Sequence, residues 1–303
     1  MELDNKSINQ LFIRKLQTPE GLQKLAQEGA GFIRTQLREA AFSRKIVNPT
    51  YVTQADCQRS TEHDQPVKIV DIEPDSGATI LTFRGQPEAR YVHGNRAEVN
   101  FFKIASDKFQ KQIIEFMTYE YNVTEVIDRN SVKDIQFQED SRFITITDAA
   151  IANSGNNVTS GVLASGAIPK VAFKNLFDIL DGNQLKSDVI LMDATMFNRL
   201  PLYPAAVAGD GFSSETMVNG YTYGKIFNRR LVVSNKSSLL TDKIYCFTSQ
   251  EYLGVFYILD DLTFWIDKNV DVVTWEAYEY IAQAIINNAA CARLDIDTST
   301  IVT

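Results

Sequence analysis

Residues 67 to 94 narrow the possible folds of this chain more than any other stretch. Their apolar period is two: Val67, Ile69, Val70 and Ile72 lead into Glu73-Pro74-Asp75-Ser76-Gly77, a strong turn cluster. Ile80, Thr82 and Arg84 then lead to Gly85-Gln86-Pro87, with Arg90, Val92 and Gly94 beyond. The spacing predicts a hairpin or three-strand ribbon. Polar and charged residues, including Lys68, Asp71, Glu73, Arg84, Glu88 and Arg90, occupy much of both faces, and the apolar ones are too sparse to close a core around it. A long hairpin wet on both faces is marginal alone and gains stability by lying on something else.

The N-terminal stretch poses the same problem in helical form. Residues 7–43 read as helix, with Thr18-Pro19-Glu20 as a start signal, because Thr18 can cap and Pro19 suits the first helical position. Gly29 and Gly31 interrupt the apolar stripe, which predicts two short helices joined by a hinge. An amphipathic arm has no core of its own and must dock on the body or on a neighbouring subunit.

Charge divides the chain in the same way. Residues 1–50 hold eight basic and five acidic side chains, a surplus of three, whereas the whole chain carries −8, so the remainder carries −11. Phosphate contacts need clustered Lys and Arg, so an acidic body argues against close wrapping of nucleic acid. A mildly basic arm on an acidic body suits self-association. With 45% hydrophobic and 22% charged residues over 303 positions, the chain should fold, and 11% aromatics favour sheet over a helical bundle. Apolar runs such as Tyr203–Ala208 and Val255–Leu259 are far shorter than the roughly twenty residues of a membrane span, and no leader pattern is visible, which predicts a soluble protein of a cytoplasm. Cys57, Cys246 and Cys291 are read as reduced, buried thiols.

Between and beyond these segments, Ala97–Ile104 reads as strand and Phe109–Tyr121 as strand or helix. Ser131–Ala152 reads as helix, although Phe143–Thr147 also alternates like a strand. Gly155–Gly166 reads as a loop and a domain boundary, Lys170–Leu180 as an amphipathic helix, Val189–Met192 as a buried strand and Asp193–Leu200 as a short helix. Residues 208–214 read as a flexible loop, and strands are predicted at Leu231–Val233, Lys243–Phe247 and Val255–Leu259. Val272–Ile296 is open between helix and strand, with Asn287-Asn288 favouring strand.

Chemistry-bearing constellations are thin. The best is Cys57 with His63 and Asp64, at a spacing that matches no nucleophile or metal motif. Asp134–Asp140 and Asp295-Ile296-Asp297 lack the alternating ligands of an EF-hand, Gly209-Asp210-Gly211 lacks the Gly-Lys-Ser/Thr of a phosphate loop, and no Gly-x-Ser-x-Gly elbow occurs. No catalytic, cofactor-binding or metal residue is assigned.

In order, these elements resemble the major capsid proteins of tailed bacteriophages, built on the Hong Kong 97 fold. Arg96–Ile104 looks like the strand returning from that family's extended loop, and Ser131–Phe143 like the helix bearing its Glu-Asp pair. Val189–Leu200 and Gly224–Ser234 look like elements of its axial domain, and Tyr245–Gly254, Trp275-Glu276 and Ile285-Ile286-Asn287 like its closing strands. The resemblance implies an α+β chain divided into an N-arm at 1–57, an extended loop at 58–98, a peripheral domain at 99–152 with 268–303, and an axial domain at 153–267. It implies strand in the final segment and no added N-terminal scaffolding domain. It further implies a structural protein, not an enzyme, that assembles into hexamers and pentamers around double-stranded DNA without reading its sequence. Portal, scaffolding and decoration proteins would be its partners, with no cofactor and no membrane, and it would lie in the virion capsid after assembly in the host cytoplasm. Lys68, Asp71, Glu73, Arg84, Glu88 and Arg90 would contact an adjacent subunit. Some family members crosslink Lys to Asn; Lys68 and Asn287 exist here, and solvated surface residues are the plainer reading. An encapsulin-like compartment, an α+β enzyme using Glu139 and Asp140, and a tail or baseplate component are the alternatives.

Overall fold

The computed structural model describes residues 5–60, 62–72, 80–86, 94–118, 123–164, 167–200 and 225–302. The arm begins with α1 (Asn5–Lys15) and α2 (Pro19–Ala40), so Pro19 does open a helix, and the Thr18 hydroxyl accepts from the Gly21 amide at 3.2 Å. The hinge expected at Gly29–Gly31 is absent: α2 runs through both glycines, and the break falls at Gln17-Thr18 instead. A helical glycine costs only about 1 kcal/mol, which the burial of Leu25 and Ala30 on the same helix offsets. A single turn, α3 (Phe42–Ile46), and a two-residue strand, β1 (Thr50–Tyr51), follow.

The ribbon is β2 (Gln58–Arg59), β3 (Pro66–Ile72) and β4 (Asn95–Asn100), with β3 antiparallel to both others and in register from Val67↔Asn100 to Ile72↔Asn95. The strand expected around Ile80–Arg84 is instead a turn, in which the Gly85 amide donates to the Thr82 carbonyl at 2.8 Å. The turn cluster at Pro74–Gly77 lies outside the described residues. Phe109–Tyr121, open between strand and helix, is both: after β5 (Phe102–Ala105), β6 (Phe109–Gln112) runs into α4 (Ile113–Thr118). The long helix α5 (Val123–Ser154) carries through Phe143–Thr147, whose alternation suggested strand. Its inner stripe recurs every fourth residue, Ser131, Ile135, Glu139, Phe143, Thr147 and Ile151, and all six are buried.

Gly155–Gly166, read as a loop, contains a strand, β7 (Val158–Ala164), because parallel pairing with a distant strand overrides its weak local propensity. Gly161 belongs here for a packing reason: a Cβ on it would lie 3.0 Å from the Cβ of Ala172. Then come α6 (Lys170–Gly182), β8 (Ser187–Asp193) and α7 (Ala194–Phe197), the last shorter than expected and capped by the Asp193 side chain. The loop expected at 208–214 lies outside the described residues. β9 (Lys225–Ile226), β10 (Arg229–Ser234), α8 (Ser237–Leu240), β11 (Lys243–Thr248) and α9 (Gln250–Leu253) lead to β12 (Gly254–Asn269), β13 (Val272–Ile285) and β14 (Cys291–Val302). The final segment is therefore strand, and its Asn287-Asn288 turn holds, with Asn287 Oδ1 accepting from the Ala289 amide at 3.0 Å.

Two large sheets result. One orders β1-β12-β13-β5, with β6 also on β13; the other orders β7-β14-β11-β8-β10-β9. Pairing crosses the boundary expected at 267/268: β12 lies with β13 in the first sheet, and β14 returns to the second between β7 and β11. The second sheet is buried on both faces. Val189, Leu191, Tyr245 and Phe247 point into the core shared with α5 and the first sheet, whereas Ile190, Met192, Ile244 and Cys246 point into the core under α6. A smaller cluster of Val52, Val99, Phe101 and Ala282 seats the base of the ribbon. Cys246 and Cys291 are buried and Cys57 is half-buried; all three are free thiols. No described helix is long and apolar enough to cross a membrane.

Candidate functional site

Two features stand out from the body: the clasp that holds the arm, and the tip of the ribbon. The arm docks on its own chain as far as its side chains are described. Phe12, Ile13 and Leu16 of α1 are buried, Phe12 meets Phe116 of α4 at 5.8 Å between ring centroids, and Lys15 pairs with Glu28 across the α1–α2 turn. Of the two docking sites left open by the sequence, this portion takes the body.

The clasp centres on α3. Its cap residue, Ala41, has no side chain able to cap, and Asp140 of α5 supplies the missing acceptor, taking the Ser43 amide at 2.9 Å and the Phe42 amide at 3.4 Å. Lys236 donates to the same carboxylate at 2.5 Å and to the Gln136 carbonyl at 2.9 Å. One residue along, Arg44 is 5% exposed and sits between two carboxyl groups that are wholly buried. Its Nε and Nη2 fork Glu139, and Nη2 also donates to Glu279 Oε2 at 2.9 Å. Burial works against the guanidinium charge, but Glu139, Glu279 and Asp261 together hold Arg44 above its usual range. Burial pushes the Asp140 carboxyl up, opposed by Lys236 and the Ser43 contacts. Further along, Arg230 donates to the Lys45 carbonyl at 3.0 Å, Gln250 to the Asn48 carbonyl at 3.2 Å, and the Val52 amide to the Ile258 carbonyl at 2.9 Å.

Glu139 and Asp140, the candidate carboxylates of an enzyme, are thus committed to α3 and not to a cleft. Cys57, His63 and Asp64 are not assembled into a site either: His63 Nδ1 accepts from the Gln65 amide at 3.2 Å, Asp64 pairs with Arg59, and the Cys57 sulfur donates to the Thr53 carbonyl at 3.6 Å. Burial pushes the Cys57 thiol up, away from the thiolate form. Among the described residues, no group of three or more His, Cys, Asp or Glu is arranged to hold a metal ion.

Of the three ribbon charges among the described residues, two have partners inside the chain. Lys68 reaches the Asp56 carbonyl at 3.3 Å, and Asp71 pairs at 3.0 Å with Arg96, directly across the ladder. Both members of the latter pair are exposed, so it contributes little. Arg84 is exposed at the tip, and Glu73, Glu88 and Arg90 lie outside the described residues. Beside Arg84, Ile80 and Phe83 are fully exposed, at 105% and 104%. The sequence pattern places Ile80 in a strand and gives no role to Phe83, and it singles out neither Arg44 nor Glu279. A signal for the latter was present: Trp275, Ala277, Glu279 and Ile281 share one parity of an alternating strand, and a lone carboxylate among apolar inward positions requires a buried partner.

No family model and no curated protein matches the chain. Solved structures do. A chain of Microbacterium phage Oxtober96 superposes with a TM-score of 0.59 at 13% identity, covering 85% of this chain and 91% of that one. The capsid structure of the cyanophage P-SCSP1u gives 0.58 at 13%, covering 83% and 87%. A virus-like particle from Pyrococcus furiosus gives 0.53 at 15%, covering 88% and 98%. With a helical arm, a projecting ribbon and two sheets joined along one long helix, this α+β chain has the Hong Kong 97-like fold of phage capsid proteins.

Proposed function

We propose that this chain is a major capsid protein that assembles through copies of itself into hexamers and pentamers, forming a closed icosahedral shell around double-stranded DNA. The observation that carries the reading is the ribbon tip, where Ile80 and Phe83 project entirely into solvent on a chain with a capsid fold. Apolar side chains held away from their own body are stabilised by a second surface, and in a shell that surface belongs to the next subunit. The role is structural. The most plausible catalytic carboxylates are consumed in holding α3, which supports a part that is built to be positioned and not to react.

In this reading the arm is 1–57, the extended loop 58–98, the peripheral domain 99–152 with 268–303, and the axial domain 153–267, with β12 and β14 exchanged across the last division to complete one sheet each. Arg84 with Glu73, Glu88 and Arg90 would meet a neighbouring subunit, and Lys68 and Asp71 would contribute there only after leaving their present partners. Strength would come from many simultaneous contacts, each exposed ion pair adding only about 0.2–1 kcal/mol. Portal, scaffolding and decoration proteins would be partners, assembly would take place in the host cytoplasm, and the acidic body would keep DNA from adhering closely. The likeness to a virus-like particle supports a second reading, an encapsulin-like compartment that holds protein cargo. Purified protein should elute as megadalton particles, and deleting residues 60–95 should leave a soluble subunit that forms no closed shells in electron micrographs. Normal particles from that deletion would refute the role given to the ribbon, and a monomeric wild-type protein at all concentrations would refute the shell. Particles that package protein and exclude DNA would favour the second reading.

A further inference from the structure

Arg44 brings one positive charge to two buried carboxyl groups. Its Nε and Nη2 are both engaged by Glu139, which leaves Glu279 only a share of Nη2. The second oxygen of Glu279, Oε1, is buried with no hydrogen-bond partner. An ionised carboxylate needs donors at both oxygens, and one without them in a dry site is costly. Among the described residues, charged groups around it do not supply the deficit: α5 presents Glu139, β12 presents Asp261, α3 presents Arg44, and β5 sets the uncharged Ile104 opposite Glu279 in register. Lys236 is bonded to Asp140 and Gln136 instead.

We propose that the arm is locked onto the body by a single proton carried on the Glu279 carboxyl, so that α3 docks firmly when this group is neutral and loosens when it ionises. Burial first, then the adjacent Glu139, push the Glu279 carboxyl well above its ordinary 4.5, and Arg44 opposes them only in part. A carboxyl with a higher pKa docked than released binds its proton more tightly in the docked state. Its contribution to docking is complete below the released-state value and is lost as pH rises through the docked-state value. Opening of the arm therefore increases with pH, by up to about tenfold per pH unit from 4.5 upward.

Hydrogen exchange of the peptide spanning 42–47, measured from pH 5 to 9 on the full chain and corrected for the intrinsic pH dependence of exchange, reads this opening. Wild type should show the rise, and Glu279→Gln, which mimics the neutral carboxyl permanently, should stay protected and flat. A flat wild-type profile overturns the proposal. So does a rise that survives in E279Q, which would assign the effect to Asp140. Should E279Q not fold, infrared spectra of the wild-type protein at pH 5 decide the matter, because a buried carboxylic acid band must be present there, and its absence overturns the proposal.

Discussion

Replacing Arg44 with alanine removes the guanidinium that touches both Glu139 and Glu279, leaving two carboxyl groups of zero exposure without it. Deleting one partner of a buried ion pair costs about 3–5 kcal/mol, because the remaining charge is uncompensated. The guanidinium also lies 5.7 Å from the Phe256 ring centroid, a contact worth about 2 kcal/mol in a desolvated site. At 1.36 kcal/mol per factor of ten, the ionic loss alone raises local opening about 150-fold to 5,000-fold. Hydrogen exchange of the 42–47 peptide should show that loss of protection, while peptides from β8 and β11, buried on both faces, keep theirs. A loss below tenfold would refute the assignment of the clasp to the ionic cluster. The triple variant R44L/E139L/E279L should recover much of the protection, since apolar replacement of a whole buried triad is often neutral or stabilising. A triple variant as loose as R44A would show that shape, not charge, holds α3.

The ribbon tip and the thiols give two further checks. Because Ile80 and Phe83 are fully exposed, I80D/F83D should leave subunit stability within about 0.5 kcal/mol of wild type in urea titrations, yet sharply reduce the particle fraction in size-exclusion chromatography; undiminished particle yield would contradict the docking role. Burial pushes the thiols of Cys246 and Cys291 up to about 12, so a thiol reagent at pH 8 should titrate one cysteine in the native protein, Cys57, and all three only in denaturant. More than one rapid native thiol would be inconsistent with the packing of β11 and β14.

Much of the fold was legible because pattern and environment agree. The start of α2 at Thr18-Pro19, the helix α6 and the strands β8, β10 and β11 follow directly from capping, amphipathic spacing and apolar runs. Errors arose where tertiary contacts override local preference. Gly29 and Gly31 sit inside a helix that packing sustains, and the Ser-, Asn- and Gly-rich segment after α5 becomes β7 because β14, over a hundred residues later, pairs with it. α5 was only half legible because Phe143–Thr147 alternates like a strand, and its charged Glu139 and Asp140, which the pattern assigns to the polar face, are in fact buried. For the same reason the clasp was hidden: a carboxylate facing a core looks like a solvated one until the cation that meets it, 95 residues away in the chain, is known.

The six-stranded sheet is a wall with a core on each side, and the core on its α5 side is continuous with that of the other sheet. The 32 residues of α5, about 48 Å at 1.5 Å per residue, run along this join like a keel. Among the described residues, the two sheets therefore share one packed core along this helix. In the shell proposed above, whose five-fold and six-fold corners would be turned by a single part, curvature would then be absorbed outside this shared core, in the arm beyond its clasp and in the angle of the ribbon.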